Sequence, residues 1–150
     1  METATRPYTF SRKVFCEGMR DGVPIALGYF AVSFSLGIAA RSAGLTPIQG
    51  FIASLFNNAS AGEYAAFSLI AAGATYVEVA IITLIANARY LLMSCALAQR
   101  FAPGTPFFHR LIIGYDVTDE LFGITIARPG CLNPFYTYGA ITLAAPAWAM

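Results

Sequence analysis

Charge is what this chain has least of. Nine basic and eight acidic residues among 150 make 11%, where a soluble domain carries about 25%. With 57% hydrophobic residues and a mean hydropathy of +0.62, too few polar side chains remain to clothe a globule in water. The expectation is an integral membrane protein in a lipid bilayer. A net charge of +1 offers no basic field, so no nucleic-acid partner is expected. His109 is the single histidine; with no second His or Cys at metal-ligand spacing it reads as an interfacial residue. The three cysteines, Cys16, Cys95 and Cys131, are too dispersed for a CxxC site or a disulfide framework and are expected to be small apolar fillers. No metal and no cofactor follow from this inventory. A nucleophile, a base and an orienting group nowhere occur together, so no enzyme is expected.

What the chain does have is long apolar runs divided by short polar punctuation. Arg6, Arg12, Lys13 and Arg20 precede the first run, with Glu2, Glu17 and Asp21 among them. They read as a start-transfer anchor with a cytoplasmic N-terminus, because the run that follows exceeds the apolar core of a cleavable signal, about 7 to 15 residues. Residues 1–21 are expected to be a cytoplasmic or interfacial segment with a short surface helix from Thr9 to Asp21. Spans are expected at about 22–40, 47–72, 74–100, 111–127 and 134–150, since about 20 apolar residues cross a core of about 30 Å. The fold class is therefore all-α, a polytopic transmembrane helix bundle forming a single transporter domain over 1–150. The last run reaches Met150 with no polar flank, so the domain is expected to be incomplete at its C-terminus.

Three places put polar chemistry inside these runs. The stretch Asn57-Asn58-Ala59-Ser60-Ala61-Gly62-Glu63 is poor continuous helix between two apolar pieces. It predicts a discontinuous helix near 57–63 with polar backbone exposed at the membrane midplane. Asn87 and Arg89 lie within the apolar run LIANARYLLMSCAL, Leu84 to Leu97. A cation near the bilayer centre costs about 2.5 to 3.5 kcal/mol on insertion scales, so Arg89 is expected to face a protein interior or wet cavity and to find a counter-charge on another helix. An arginine that snorkels to the interface is the competing reading. Glu78, about 16 Å along the same helix from Arg89, is expected near one membrane surface. Asp116, Asp119 and Glu120 would share one face of a continuous helix, at i, i+3 and i+4, and supply Arg89's partner as an acidic stripe. The alternative places them in a surface loop between two short segments.

Taken in order, GMRDGVPIALGYF, SLFNNASAGEYAAFSLIAAGA, LIANARYLLMSCALAQRF and DVTDELFGI give the chain its identity in outline: it resembles the AzlC-like branched-chain amino acid permease family over nearly its whole length. The resemblance implies a multi-pass protein of the bacterial plasma (inner) membrane that exports leucine, isoleucine, valine and their analogues, paired with a small AzlD-like membrane subunit. Two departures stand out. Glu63 occupies a position where the family is expected more often to carry glutamine, and roughly the last third of the family pattern is absent. An amino acid zwitterion needs an acceptor for its carboxylate, a partner for its ammonium and an apolar pocket. The candidate substrate-binding residues are Asn57, Asn58, Ser60, Gly62, Glu63, Asn87, Arg89, Asp116, Asp119 and Glu120. Carboxylates in a low-dielectric span also suggest proton coupling. Competing expectations are a cation or metal carrier using the acidic stripe and a non-transporting membrane fragment. Tyr115-Asp116 is similar to one half of the intramembrane aspartyl protease pair, but the matching glycine-x-glycine-Asp motif is missing.

Overall fold

The computed structural model describes residues 9–149; expectations that concern Glu2 and Arg6 lie outside the described residues. Among the described residues seven α-helices follow one another: α1 (Arg12–Ser42), α2 (Pro47–Phe56), α3 (Ser60–Ala71), α4 (Tyr76–Arg100), α5 (Phe107–Tyr115), α6 (Asp119–Ile126) and α7 (Pro134–Ala149). Extended pairing among the described residues is limited to one isolated bridge between Phe101 and Leu132. The all-helical expectation holds. Two helices, α1 with 31 residues and α4 with 25, are long and apolar enough to cross a membrane. Their outward residues fit that use: Leu27, Phe30 and Phe34 on α1 and Leu84, Leu91 and Leu92 on α4 are all exposed, a surface that water would penalise and lipid would not.

Several boundaries depart from the sequence reading. The separate surface helix from Thr9 to Asp21 is not formed, because α1 runs through Asp21 and Gly22 without a break and carries Pro24 inside it. The fourth span expected at 111–127 is two helices, α5 and α6, of nine and eight residues. At about 1.5 Å per residue neither reaches across a bilayer. Thr118 ends the continuity by capping α6, its hydroxyl accepting from the Leu121 N–H at 3.3 Å. The acidic stripe therefore does not exist as one helical face: Asp116 closes α5 while Asp119 and Glu120 open α6. His109 and Arg110 belong to α5 rather than to the preceding loop. All three cysteines are exposed, so they fill no core.

The chain divides into two compact units, one from the chain up to Ile25 with Tyr90–Ala144, the other from Ala26–Arg89 with the residues after Ala144. The first has a core of Leu97, Phe101, Ile113, Val117 and Leu132, with Tyr90, Met93 and Phe122 packed against it. Here the start of α1 meets α7 at backbone distance. A Cβ on Gly18 would strike the Tyr136 carbonyl, and one on Gly139 would strike that of Phe15. Polar pairs lock the same contact: Arg128 Nη2 donates to Glu17 Oε2 at 2.9 Å and Tyr136 Oη to Asp21 Oδ2 at 2.7 Å. His109 Nδ1 and Tyr138 Oη share a hydrogen bond of 2.7 Å.

In the second unit α1 buries Tyr29, Ser33, Leu36 and Ala40, a stripe at spacings of three and four. Tyr29 meets Trp148 of α7 edge to face, centroids 5.0 Å apart. Two corners of this unit repeat one design. Gly44 and Gly73 take φ of 80° and 74°, the left-handed region that suits a helix stop at glycine. The N–H groups of Gly44 and Leu45 return to Arg41 and Ala40, and those of Gly73 and Ala74 to Ile70 and Leu69, each at 3.0 Å. A capping box then starts the next helix, Thr46 with Gln49 for α2 and Thr75 with Glu78 for α4. Glu78 is thus a helix cap, with Thr75 N and Oγ1 each donating to its Oε2 at 2.8 Å.

Because the α1–α7 approach leaves no room for a side chain, Gly139→Ala is expected to destabilise the fold by about 1 to 3 kcal/mol through overpacking. Gly28→Ala, where a Cβ would meet nothing within 4 Å, is expected to stabilise by about 0.5 to 1 kcal/mol. Thermal unfolding of the two variants in detergent, followed by helical circular dichroism, checks the opposite signs.

Candidate functional site

The site is built around the interruption between α2 and α3. Helix α2 is ten residues of mostly apolar sequence and α3 is twelve, each about 15 to 18 Å long and so about half a bilayer core. Asn57 ends α2 with φ −117° and ψ 69°, outside the helical region, while its N–H still reaches Ala53 O at 2.8 Å. Ala59 starts α3 and provides no side-chain cap, so the first-turn N–H groups of α3 depend on other acceptors. The discontinuous helix expected near 57–63 is present.

Side chains converge on this break from within the second unit. Asn87 of α4 donates from Nδ2 to Asn57 Oδ1 at 2.8 Å, linking positions 30 residues apart. Gly62 is buried beneath that amide. A Cβ there would overlap Asn87 Oδ1, Cγ and Nδ2, so the absence of a side chain at 62 is what admits Asn87. Glu63, on the next face of α3, is 1% exposed and accepts a short hydrogen bond from Ser54 Oγ of α2 through Oε1. Its Oε2 is buried without a hydrogen-bond partner, as are Asn87 Oδ1 and Trp148 Nε1. Buried polar atoms of this kind are costly to leave unmet, about 1 to 3 kcal/mol each, and with Thr83 Oγ1 four of them belong to this unit.

Other expected site residues fall differently. Asn58 and Ser60 are half-buried in or beside the break, whereas Arg89 is on the exposed surface of α4. Arg89 belongs to the second unit, and Asp116, Asp119 and Glu120 to the first. Asp116 and Asp119 are half-buried and Glu120 is exposed. At the start of α6 the last two carboxylates complement the helix dipole.

Beside the break lies a cavity of about 210 Å³. Leu36 and Arg41 of α1, Gly50, Phe51 and Ser54 of α2, Phe67 of α3 and Trp148 of α7 contribute to its wall. Ser54, Arg41 and Trp148 escaped the sequence reading. Ser54 carried a signal, since it is the one hydroxyl in the apolar piece from Pro47 to Phe56; Arg41 and Trp148 read locally as a helix end and an apolar run.

Comparison with known proteins follows the same outline. A family model described as AzlC protein matches residues 24–150. The inner membrane protein YgaZ of Escherichia coli (strain K12) is 25% identical over 128 residues, covering 85% of this chain and 52% of that protein. An uncharacterized membrane protein of Archaeoglobus fulgidus is 26% identical over 113 residues, 75% of this chain and 49% of its own length. One of Helicobacter pylori (strain 26695) is 26% identical over 112 residues, 75% and 48%. The chain spans about half the length of these relatives. No solved structure matches it.

The Gly62–Asn87 contact makes a specific prediction. Gly62→Ala alone is expected to destabilise by about 1 to 3 kcal/mol, because the new methyl group displaces the Asn87 amide. In an Asn87→Ala background the same change is expected to cost well under half as much, since the amide it collides with is gone. A double-mutant cycle of unfolding free energies in detergent measures the coupling; strict additivity would refute it.

Proposed function

The chain belongs to the AzlC protein family, and from that premise we propose that it is part of a polytopic plasma-membrane permease that exports branched-chain amino acids. The observation that carries this reading is the interrupted helix α2–α3, with Asn57, Glu63, Asn87 and Ser54 gathered where the backbone leaves helical geometry. Broken helices of this sort serve in transporters to offer backbone dipoles and polar side chains to a substrate at mid-membrane depth. The printed descriptions of the relatives as membrane proteins support the location. Asn58, Ser60, Gly62 and Arg89 are assigned to the same path, and Asp116, Asp119 and Glu120 to a second polar station. A small AzlD-like subunit is the proposed partner, and a proton gradient the proposed driving force.

A branched aliphatic side chain is distinguished from its homologues by only about 1 to 3 kcal/mol per methylene, so leucine, isoleucine and valine are expected to share the path. Cells loaded with a leucine-containing dipeptide should release leucine faster when they express the permease with its small subunit. Glu63→Gln and Asn57→Ala should each lower that efflux at least about tenfold at equal membrane abundance, as loss of a charge-assisted or buried hydrogen bond costs about 1 to 3 kcal/mol. Divalent-cation flux without leucine flux would replace this reading with a cation carrier. Export that ignores collapse of the pH gradient would remove the proton from it.

Arg89 has its own test. A guanidinium fork binds a carboxylate through two parallel bonds that an ammonium cannot reproduce, so Arg89→Lys is expected to recover little of the efflux lost in Arg89→Ala. Near-normal efflux from the lysine variant would make Arg89 an interfacial anchor.

A further inference from the structure

Two half-length helices joined at a break either continue in one line across the bilayer or fold back on each other, and contacts within the second unit decide between these. In one line Ser54 and Glu63, nine positions apart, would stand at least about 13 Å from each other along the axis. Their side chains are instead hydrogen bonded. Gly50 of α2 lies against Ala40 of α1, since a Cβ there would be 3.4 Å from the Ala40 methyl group, and further along Ser54 lines a cavity with Ser33 and Leu36. Helix α2 thus runs back down beside α1. Tyr64, Phe67 and Ala71 of α3 share a second hollow with Ile38 and Ser42, in the last two turns of α1. A helix continuing α2 in line would have left those turns behind, so α3 climbs back to the level at which α2 began. Helix α4 then descends again: Asn87, about 16 Å along it from Tyr76, meets Asn57 at the break. The corners at Gly44 and Gly73 therefore lie at one end of this unit and residues 57–59 at the other.

The distribution of charge agrees. Arg12, Lys13 and Arg20 stand at the start of α1, Arg100 ends α4, and Arg110 and Arg128 follow it. Neither α5 nor α6, of nine and eight residues, is long enough to carry Arg128 to the other face. From Ser42 to Tyr76 there is no lysine or arginine. Basic residues collect on the cytoplasmic side; a fold-back between α1 and α4 puts both basic groups on one face, and a crossing would divide them.

We propose that α2 and α3 form a re-entrant hairpin, entering and leaving the bilayer at the face opposite Arg12 and Arg20, and that the cavity beside it is a one-sided vestibule ending at Ser54. The span expected at 47–72 is then two half-depth helices with residues 57–59 as their tip. Unwound backbone at that depth is tolerated where protein encloses it or a water-filled cavity meets it. Asn87, seated on Gly62, closes the tip from α4. The cavity, about 210 Å³, begins beside Arg41, Thr46 and Pro47 at the exposed corner and reaches Ser33 and Ser54 towards the tip. A solute that arrives at Ser54 through it comes from the outer face. The inference stands apart from the choice of transported substrate.

The unaltered protein carries the first test, because Cys16 lies near the start of α1 and Cys131 after α6, both exposed. Cells with a permeabilised outer membrane are treated with a charged, membrane-impermeant methanethiosulfonate, and the modified cysteines are mapped by mass spectrometry before and after lysis. Both are expected to react only after lysis. Modification of either one alone in intact cells would overturn the hairpin, because a crossing α2–α3 puts positions 16 and 131 on opposite faces. Modification of both in intact cells would overturn the face assigned to it. Single-cysteine variants, made with Cys16, Cys95 and Cys131 replaced by serine, give the second test. Ser42→Cys and Ala72→Cys, at exposed positions of the two corners, are both expected to react in intact cells. Reaction of just one of them there would again overturn the hairpin. Phe51→Cys, on the cavity wall, is expected to react from the same face as these two. Its failure to react in intact cells where both corners do would overturn the vestibule and leave the hairpin. No readout depends on leucine efflux, so the failure of either claim is distinguishable from failure of the permease reading.

Discussion

The amide hydrogen bond from Asn87 to Asn57 is the contact on which the second unit depends. A helix that stops and restarts inside an apolar environment exposes carbonyls at the end of α2 and N–H groups at the start of α3, with little water to meet them. Such a break persists only where protein groups stand in for the missing solvent. Asn87 braces the break from a different helix, its amide donating to the Asn57 side chain across 30 residues of sequence, and it reaches the break because Gly62 presents no side chain. Ser54 and Glu63 add a second tie between the two halves of the interrupted helix. The fold thus maintains polar groups at a depth where composition alone would have put leucine.

The first unit contains more charge but uses it differently. Arg128 and Glu17 are each more than a third exposed at their side chains, so the pair contributes at most about 1 kcal/mol, and its role is to set how α1 and α7 meet. Tyr136 belongs to the same contact, lying under the Arg128 guanidinium at 4.0 Å and donating to Asp21. Arg100 reaches the carbonyls of Arg128 and Gly130 and closes the loop before α7. These groups are partnered and partly solvated, whereas Glu63 is enclosed with an unmet oxygen. What sets the break apart is that side chains of α2, α3 and α4 meet there, whereas Asp116 closes one short helix and Asp119 and Glu120 open the next.

What the sequence made legible were features whose cause is local. Seven residues from Asn57 to Glu63 combine poor helix formers with a lone carboxylate, and the helix does part there. Thr75 and Glu78 lie at capping-box spacing, and the carboxylate expected near one membrane surface is exposed in the first turn of α4, where it caps the helix. The acidic stripe failed because spacing of i, i+3 and i+4 presumes one helix, and Thr118 followed by Asp119 and Glu120 is itself a helix start. Gly18 and Gly22 are where α7 presses on α1, a reason that exists only in three dimensions. Arg41, Ser54, Glu63 and Trp148 share a neighbourhood although they span more than a hundred positions, and no local pattern announces that.

The two corners closed by Gly44 and Gly73 bear on how the second unit meets water. Each corner satisfies its own backbone through the returning N–H groups and the capping box that follows, so neither needs hydration to stay folded. Of the three connections in this unit, the one at 57–59 alone leaves its hydrogen-bonding capacity to side chains drawn from elsewhere. Unmet hydrogen-bonding capacity is therefore concentrated at a single level between two self-sealed corners, and a group that comes to the second unit without its water can be answered at that level.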